Sequence, residues 1–365
     1  MTTSNIKVLI STGGGHRTEI ELIKRIRAAG VNIHAAIESD SPNWEDLENA
    51  GVPVRSLNLK SNIDIPNIRK IRNWITAEHF DIVHGLANRQ VANFIWASYG
   101  LPNKVVAYRG TLGHISRWDP TCYIKWLNPR IDCITCVSHA VEQDLLSYGI
   151  PKKRLTTIYK GHDPSWYADT NPQIARAELI RDLNIPPDAV LAVLVANMRP
   201  VKGADLFINA MAQVDDHVHA ILIGEVRDKR VLTAAESSPA RDRIHFMGYR
   251  RDAYRYVAGC DLSVIPSRER EGLSKAVIES MLQGVPVIVS DAGGLPEMVE
   301  PGDSGLVFSA GDEKRLSAAI CTLSSDSGQR KAIGAAGLRR ATKLFAIENS
   351  VANTITAYKE LVKYK

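Results

Sequence analysis

Short apolar runs alternate with amphipathic, glycine-ended stretches along almost the whole chain, and this alternation constrains the fold more than any other feature. Lys7–Ser11 reads as a strand, Arg17–Ala29 as a helix ended by Gly30, and Asn32–Ile37 as the next strand. Helical patterns follow over Trp44–Ala50, Ile65–Glu78, Gln90–Tyr99 and Ala140–Tyr148, interleaved with strands at Ile82–His84, Lys104–Tyr108 and Cys133–Val137. Helices of this length between strands act as crossovers, which predicts an α/β fold with a parallel, doubly wound sheet. The second half repeats the scheme, with strands at Val190–Ala196, Ala220–Ile223, Ile244–Phe246, Leu262–Ile265 and Val287–Ser290. Helices fit between them at Ala204–Gln213, Asp252–Ala258 and Ser274–Gln283. Two doubly wound domains with a cleft between them are therefore expected, residues 1–165 and 166–345, joined by a linker over 161–172. A last helix, Asn349–Lys363 within 346–365, is expected to return to the first domain.

Composition narrows the class. The 365 residues suit two domains, and 45% hydrophobic residues can fill two cores without any window resembling a membrane span. The amino terminus lacks the charged and apolar regions of a signal peptide. Five cysteines, at 122, 133, 136, 260 and 321, do not suggest a disulfide framework, so a reducing, cytoplasmic setting is expected. Cys133 and Cys136 form a CxxC within a strand, where residues three apart face opposite sides, which disfavours a metal or redox pair. Residues 1–165 carry 20 Lys and Arg against 15 Asp and Glu; residues 166–365 carry 25 of each. The net positive charge thus lies in the first half, where it suits a lipid surface, a lipid phosphate or an acidic glycan, or is an ordinary solvated surface.

Chemistry concentrates where strands end. Ser11-Thr12-Gly13-Gly14-Gly15-His16-Arg17 links the first strand to the first helix, and its glycines let backbone N–H groups approach a phosphate or sugar. Arg199 and Lys202, in the loop after Val190–Ala196, place two cations where a diphosphate can be held and stabilised as a leaving group. Gly224-Glu225 and Gly248-Tyr249 again put glycine just beyond a strand end. Glu271 and Glu279 stand eight residues apart, one before and one inside a helix that starts near Ser274. Free amides at such a helix start favour a phosphate, and carboxylates beside it accept hydrogen bonds from sugar hydroxyls.

Lys202-Gly203, Phe246-Met247-Gly248-Tyr249, Pro266-Ser267, Glu271-x7-Glu279, Gly284-x-Pro286-Val287 and Gly293-Gly294-x-x-Glu297 occur in one order and spacing. In this the chain resembles the family 4 (group 1) glycosyltransferases, densely over residues 190–310 and more loosely over 1–165. The resemblance implies the GT-B fold, two Rossmann-like domains facing a cleft, with the first binding acceptor and the second a nucleotide-sugar donor. It implies a retaining glycosyltransferase acting on a glycan or lipid-linked acceptor in envelope polysaccharide or lipopolysaccharide assembly. Carried over, Glu271 binds donor-sugar hydroxyls and Glu279 the ribose, while Lys202 with Arg199 grips the diphosphate. Backbone of Gly272, Leu273, Ser274 and Lys275 meets sugar and distal phosphate; Gly14, Gly15, Gly224, Tyr249 and Arg250 complete the donor contacts. Asp291, Gly293 and Glu297 shape the wall beside the phosphates, with a helix-start role the alternative for Glu297.

From the first domain, the strand-end His84 is expected to join Glu271, Lys202 and Arg199 in the catalytic set. His16, Arg109 and His114 are expected on the acceptor, a packing role being the alternative for each of these and for His84. No D-x-D occurs, so neither a metal nor another cofactor is expected; Lys202, Arg199 and helix dipoles take over the electrostatic role. Two rivals share the architecture: an inverting lipid-intermediate glycosyltransferase, whose glycine loop also ends in histidine, and a nucleotide-sugar 2-epimerase. Two segments bear on the acceptor side. Ile65–Glu78 places Ile68, Ile71, Trp74 and Ile75 on one face and Arg69, Lys70 and Arg72 on the other. Arg117–Arg130 interleaves Trp118, Tyr123 and Trp126 with Arg117, Lys125 and Arg130, which suits peripheral contact with the cytoplasmic face of a membrane. The same mixture occurs in single-stranded nucleic-acid binders, but the donor motifs argue against a nucleic-acid partner.

Overall fold

Strands covered by helices on both faces must be apolar throughout, and the runs VLIS after Lys7 and VLAVLV at 190–195 meet that need. A computed structural model describes residues 6–363; the expectation that the first residues form no signal peptide falls partly outside them. The chain divides into two units, one running to His162 and resuming at Ala346, the other spanning Asp163–Phe345.

The first unit opens with β1 (Lys7–Ser11), α1 (Arg17–Ala28), β2 (Asn32–Ile37), α2 (Trp44–Asn49) and β3 (Val54–Ser56). It continues through α3 (Ile65–Glu78), β4 (Ile82–Gly85), α4 (Asn88–Ala97), β5 (Lys104–Arg109), β6 (Cys133–Cys136), α5 (His139–Ser147) and β7 (Leu155–Thr157). The seven strands form one parallel sheet in the order β3-β2-β1-β4-β5-β6-β7. Cys133 packs in the main cluster of this unit, and among the described residues all five cysteines are free thiols.

The second unit begins with α6 (Pro172–Leu183), β8 (Val190–Val195), α7 (Ala204–Ala210), β9 (Val218–Ile223), α8 (Lys229–Ser237) and β10 (Ile244–Gly248). Next come α9 (Ala253–Ala258), β11 (Leu262–Ile265), α10 (Lys275–Leu282), β12 (Val287–Ser290), α11 (Leu295–Met298) and β13 (Leu306–Phe308). The unit closes with α12 (Glu313–Ser325) and α13 (Ser327–Leu344). Its six-stranded sheet runs β10-β9-β8-β11-β12-β13, again parallel. The last helix, α14 (Ile347–Val362), packs on α1 and sends Ile355, Tyr358 and Val362 into the core of the first unit.

Both units are thus doubly wound, as expected, and the differences are local. The stretch read as a linker holds a 3-10 turn, Pro164–Tyr167, with Tyr167 buried, and α6 starts at its last residue. In the segment Arg117–Arg130 the expected aromatic row is broken. Trp126 is buried beneath the Arg109 guanidinium, 4.6 Å from its ring centre, while Trp118 is 95% exposed.

Candidate active site

In an open parallel sheet the crevice lies at the strand carboxyl ends, where the strand order reverses. In the second unit that point falls between β8 and β11, and the loops after these two strands carry the expected residues. Lys202 Nζ lies 2.6 Å from Glu271 Oε2, and Ser267 Oγ donates to the same oxygen at 2.9 Å. Glu271 is buried, which costs a charge dearly unless it is paired, and here a cation and a hydroxyl pair it.

The loops approach so closely because two positions lack a side chain. Gly203 has φ +67°, and a Cβ there would press into the Pro266 carbonyl oxygen. Gly293 has φ +59°, and its Cβ would strike the Glu271 carbonyl, which instead accepts the Gly294 N–H at 2.8 Å. Asp291 is exposed at the end of β12, where its Oδ1 accepts the Ala310 N–H at 2.8 Å.

Beyond Glu271 the chain passes Gly272 and Leu273 to Ser274, the N-cap of α10, whose side chain makes no capping bond. The first amides of this helix therefore remain available to an anion, and their dipole favours one. One turn further in, Glu279 is buried and accepts from Lys275 Nζ at 3.0 Å and from Tyr167 Oη at 3.4 Å. Desolvation dominates and raises its carboxyl pKa, against the lowering effect of Lys275 and Tyr167. Arg199, Tyr249 and Arg250 are exposed, and Gly224 follows β9 directly. Tyr167 is the site residue that sequence reasoning misses. It stands in a stretch with the composition of a linker, and only its proximity to a glutamate 112 positions away reveals it.

The reversal in the first unit lies between β1 and β4. Here the glycine loop is tied inward: Gly15 N donates to Thr12 Oγ1 at 3.1 Å, Thr12 Oγ1 bonds Glu19, and Glu19 meets Lys160 at 3.3 Å. Gly14 and His16 stay exposed. His84 differs from its expected position at an open edge. It is 2% exposed, its Nδ1 lies 2.7 Å from Tyr358 Oη, and burial holds its pKa at about 3, so the ring is neutral. Its Nε2 and Thr18 Oγ1 have no protein partner, and both residues line a cavity of about 40 Å³ with Glu19, Tyr108, Lys160 and Ser350. Arg109 likewise lies inward rather than at an open edge. It is buried, donates to the Gly113 carbonyl, and desolvation lowers its pKa. His114, by contrast, is exposed with φ +57°.

Comparison with known proteins agrees with this geometry in both halves. Residues 12–166 match the model described as Glycosyltransferase Family 4, and residues 189–326 match that described as Glycosyl transferases group 1. The N-acetyl-alpha-D-glucosaminyl L-malate synthase of Bacillus anthracis is 23% identical over 97% of this chain and 95% of its own length. The lipopolysaccharide core biosynthesis mannosyltransferase LpsB of Rhizobium meliloti is 27% identical over 67% of this chain and 70% of its own. Among solved structures, Anabaena HepE in complex with UDP superposes with a TM-score of 0.83 at 21% identity, covering 97% of this chain and 100% of that one. Doubly wound sheets, the Lys202–Glu271 crevice and these matches converge: the chain belongs to the family 4, group 1 glycosyltransferases, and is a glycosyltransferase of the GT-B fold.

Proposed function

We propose that the protein is a retaining, metal-independent glycosyltransferase. It moves a sugar from a nucleotide-diphosphate donor to a hydroxyl of a glycan or lipid-linked glycan, in envelope polysaccharide or lipopolysaccharide assembly at the cytoplasmic side. The Lys202–Glu271 pair beside the open start of α10 carries this reading. Donor binding inserts the distal phosphate at Lys202 and the α10 amides, and a sugar hydroxyl takes over contact with Glu271. Glu279, held by Lys275 and Tyr167, accepts from the ribose hydroxyls. Arg199 adds a second cation at the diphosphate. The bond from the anomeric carbon to the diphosphate oxygen breaks with its electron pair on the diphosphate. The acceptor oxygen bonds the same face of that carbon and passes its proton to the departing phosphate. Lys202 stabilises the charge that grows there, a contribution that preorganised donors make efficiently.

His84 is assigned to holding α14 through Tyr358 rather than to the chemistry. Exposed His16 and His114 remain on the acceptor side, and Gly14 among the donor contacts. The lipopolysaccharide reading draws support from relatives such as LpsB. Three measurements test the proposal. The anomeric configuration of the product, read by NMR with cognate donor, should match the donor, and inversion would favour the lipid-intermediate class. Turnover should persist in EDTA, and its abolition would overturn the metal-free assignment. Donor incubated alone should be returned unchanged; a changed sugar would identify an epimerase. The base and sugar are to be found by thermal shift against UDP, GDP, ADP, dTDP and their sugars.

A lipid-linked acceptor also accounts for one surface of the first unit. Its exposed large apolar side chains are Ile63, Ile65, Trp96, Tyr99, Trp118 and Tyr123, on or beside α3, α4 and the β5–β6 connection. Hydrogen bonds link much of that surface: Arg72 to the Tyr99 carbonyl at 2.7 Å, Tyr99 Oη to Asn128 at 2.9 Å, and Asn128 to the Tyr123 carbonyl at 2.7 Å. Residues 60–130 hold ten Lys and Arg against four Asp and Glu. Aromatic rings among cations suit an anionic bilayer surface. Co-sedimentation with vesicles of phosphatidylglycerol and phosphatidylcholine should occur and should fall in a Trp118→Ala, Tyr123→Ala variant. Wild-type protein left wholly in the supernatant would sink the membrane assignment.

A further inference from the structure

We propose that Arg268, acting through Asp205, is a positioning residue that sets Lys202 against the donor diphosphate; this rests on the assignment of Lys202 to that diphosphate. The loops after β8 and β11 contribute Lys202 and Glu271, and the direct link between the two side chains is their ion pair. Donor binding, as proposed above, draws both partners onto the ligand, so that link cannot be what fixes the loops while the donor is bound. Arg268 supplies a second connection on the same pair of loops. Its backbone N–H donates to the Val201 carbonyl at 2.8 Å, one residue before Lys202. Its guanidinium donates to the Pro200 carbonyl at 3.2 Å and, as a two-pronged fork, to Asp205 at 2.5 and 2.9 Å.

These contacts bracket Lys202 on both sides, at positions 200, 201 and 205, from a residue three before Glu271. Asp205 is well placed to hold the fork, because it lies in the first turn of α7 and its side chain is 13% exposed. The fork is occupied by a carboxylate and a carbonyl, so Arg268 acts on the diphosphate through the Lys202 loop and not by touching it. A fork matched to a carboxylate in this way is a property of arginine that lysine lacks. In the sequence Arg268 stands among the charged residues of Ser267-Arg268-Glu269-Arg270 with nothing to mark it.

The test compares affinity for a nucleoside diphosphate with that for the corresponding monophosphate, by calorimetry, using the base found in the thermal-shift screen. Wild-type protein should prefer the diphosphate, and Lys202→Ala should sharply reduce that preference. Arg268→Ala and Asp205→Asn should each weaken diphosphate binding by about tenfold, a displacement of the gripping group by a fraction of an ångström being enough. Monophosphate affinity should not change. Arg268→Lys should recover less than half of the loss, and exchanging the partners (Arg268→Asp with Asp205→Arg) should recover more than either single change. Equal losses for both nucleotides would reveal a general structural role and overturn the proposal, as would an unchanged diphosphate preference in Arg268→Ala. If Lys202→Ala itself keeps the preference undiminished, the assignment of Lys202 fails and the clamp falls with it.

Discussion

The second unit, at its reversal point, joins Lys202 to Glu271 and Ser267 beside the start of α10; the first unit, at its own, ties Thr12, Glu19 and Lys160 to one another. Both crevices contain a lysine, a glutamate and a glycine-bearing loop. In one the groups converge on a place for an anion. In the other the polar groups are spent on the loop itself, and the unsatisfied atoms, His84 Nε2 and Thr18 Oγ1, are neutral and lie in a small cavity. Topology therefore locates a crevice in each sheet, and each pairs its lysine with a glutamate; they differ in what stands beside that pair, a loop hydroxyl and neutral buried atoms in the first, Ser267 and the start of α10 in the second.

The comparison is broken most severely by removing the two lysines in turn. Lys202→Ala should lower turnover by about 100- to 1,000-fold, the usual cost of losing one preorganised donor at a developing charge. Lys160→Ala should leave nucleotide affinity unchanged, and a parallel loss there would mean that the crevices are not distinct in role. Glu279→Ala should weaken nucleotide binding by about tenfold or more, since hydrogen bonds to a charged group contribute roughly 1.5–3 kcal/mol. Because burial raises the Glu279 pKa, its ionised form is lost earlier on acidification than that of an ordinary glutamate. Wild-type affinity should accordingly decline as pH falls through that raised value, and the decline should be absent from the alanine variant. Calorimetry across pH checks both.

Much of the Lys202–Glu271 crevice is legible in the amino-acid sequence alone. The spacing of Glu271 and Glu279 with Lys202, Pro266-Ser267 and Gly293-Gly294 marks it because each residue is fixed to a strand end or helix start by local chain geometry. Burial is harder to read. His84, Arg109 and Trp126 read in sequence as facing outward, yet each is buried, His84 against Tyr358 of the distant α14, and Arg109 and Trp126 against each other, at the end of β5 and within an irregular connection that has no period to read. Strands β3, β7 and β13 have three residues each, too few to show a period. Tyr167 is hidden by its neighbours, two prolines and several polar residues that suggest a linker.

Smaller effects sharpen the contrast in stability. Tyr358→Phe removes the partner of a fully buried histidine, and should lower unfolding free energy by about 1–3 kcal/mol while leaving nucleotide binding intact. Chemical denaturation together with calorimetry tests both halves of that statement. The smallest change concerns the edge of the second sheet, where His219 and His245 stack with Nδ1 and Nε2 3.0 Å apart. Burial lowers both pKa values, helped by Arg243 beside His219 and by His219 beside His245, and brings that of His245 to about 4. The folded state thus prefers the neutral rings. Their contribution to stability is complete above the unfolded value near 6.5 and is lost as pH falls from there towards 4. A His245→Gln variant should show a shallower decline of melting temperature between about pH 7 and 5 than the parent.

The return of α14 to the first unit bears on how the chain acquires its structure during translation. Tyr358 is among the largest fully buried side chains, and with Ile355 and Val362 it completes a core whose other buried members are made before residue 134. The second unit is continuous, from Asp163 to Phe345, and has all its residues once Phe345 has emerged. Domains tend to form as they leave the ribosome, amino-terminal first. Here that order is inverted: the second unit can reach its native packing while the half synthesised earlier still waits, with apolar surface uncovered, for α14 to arrive.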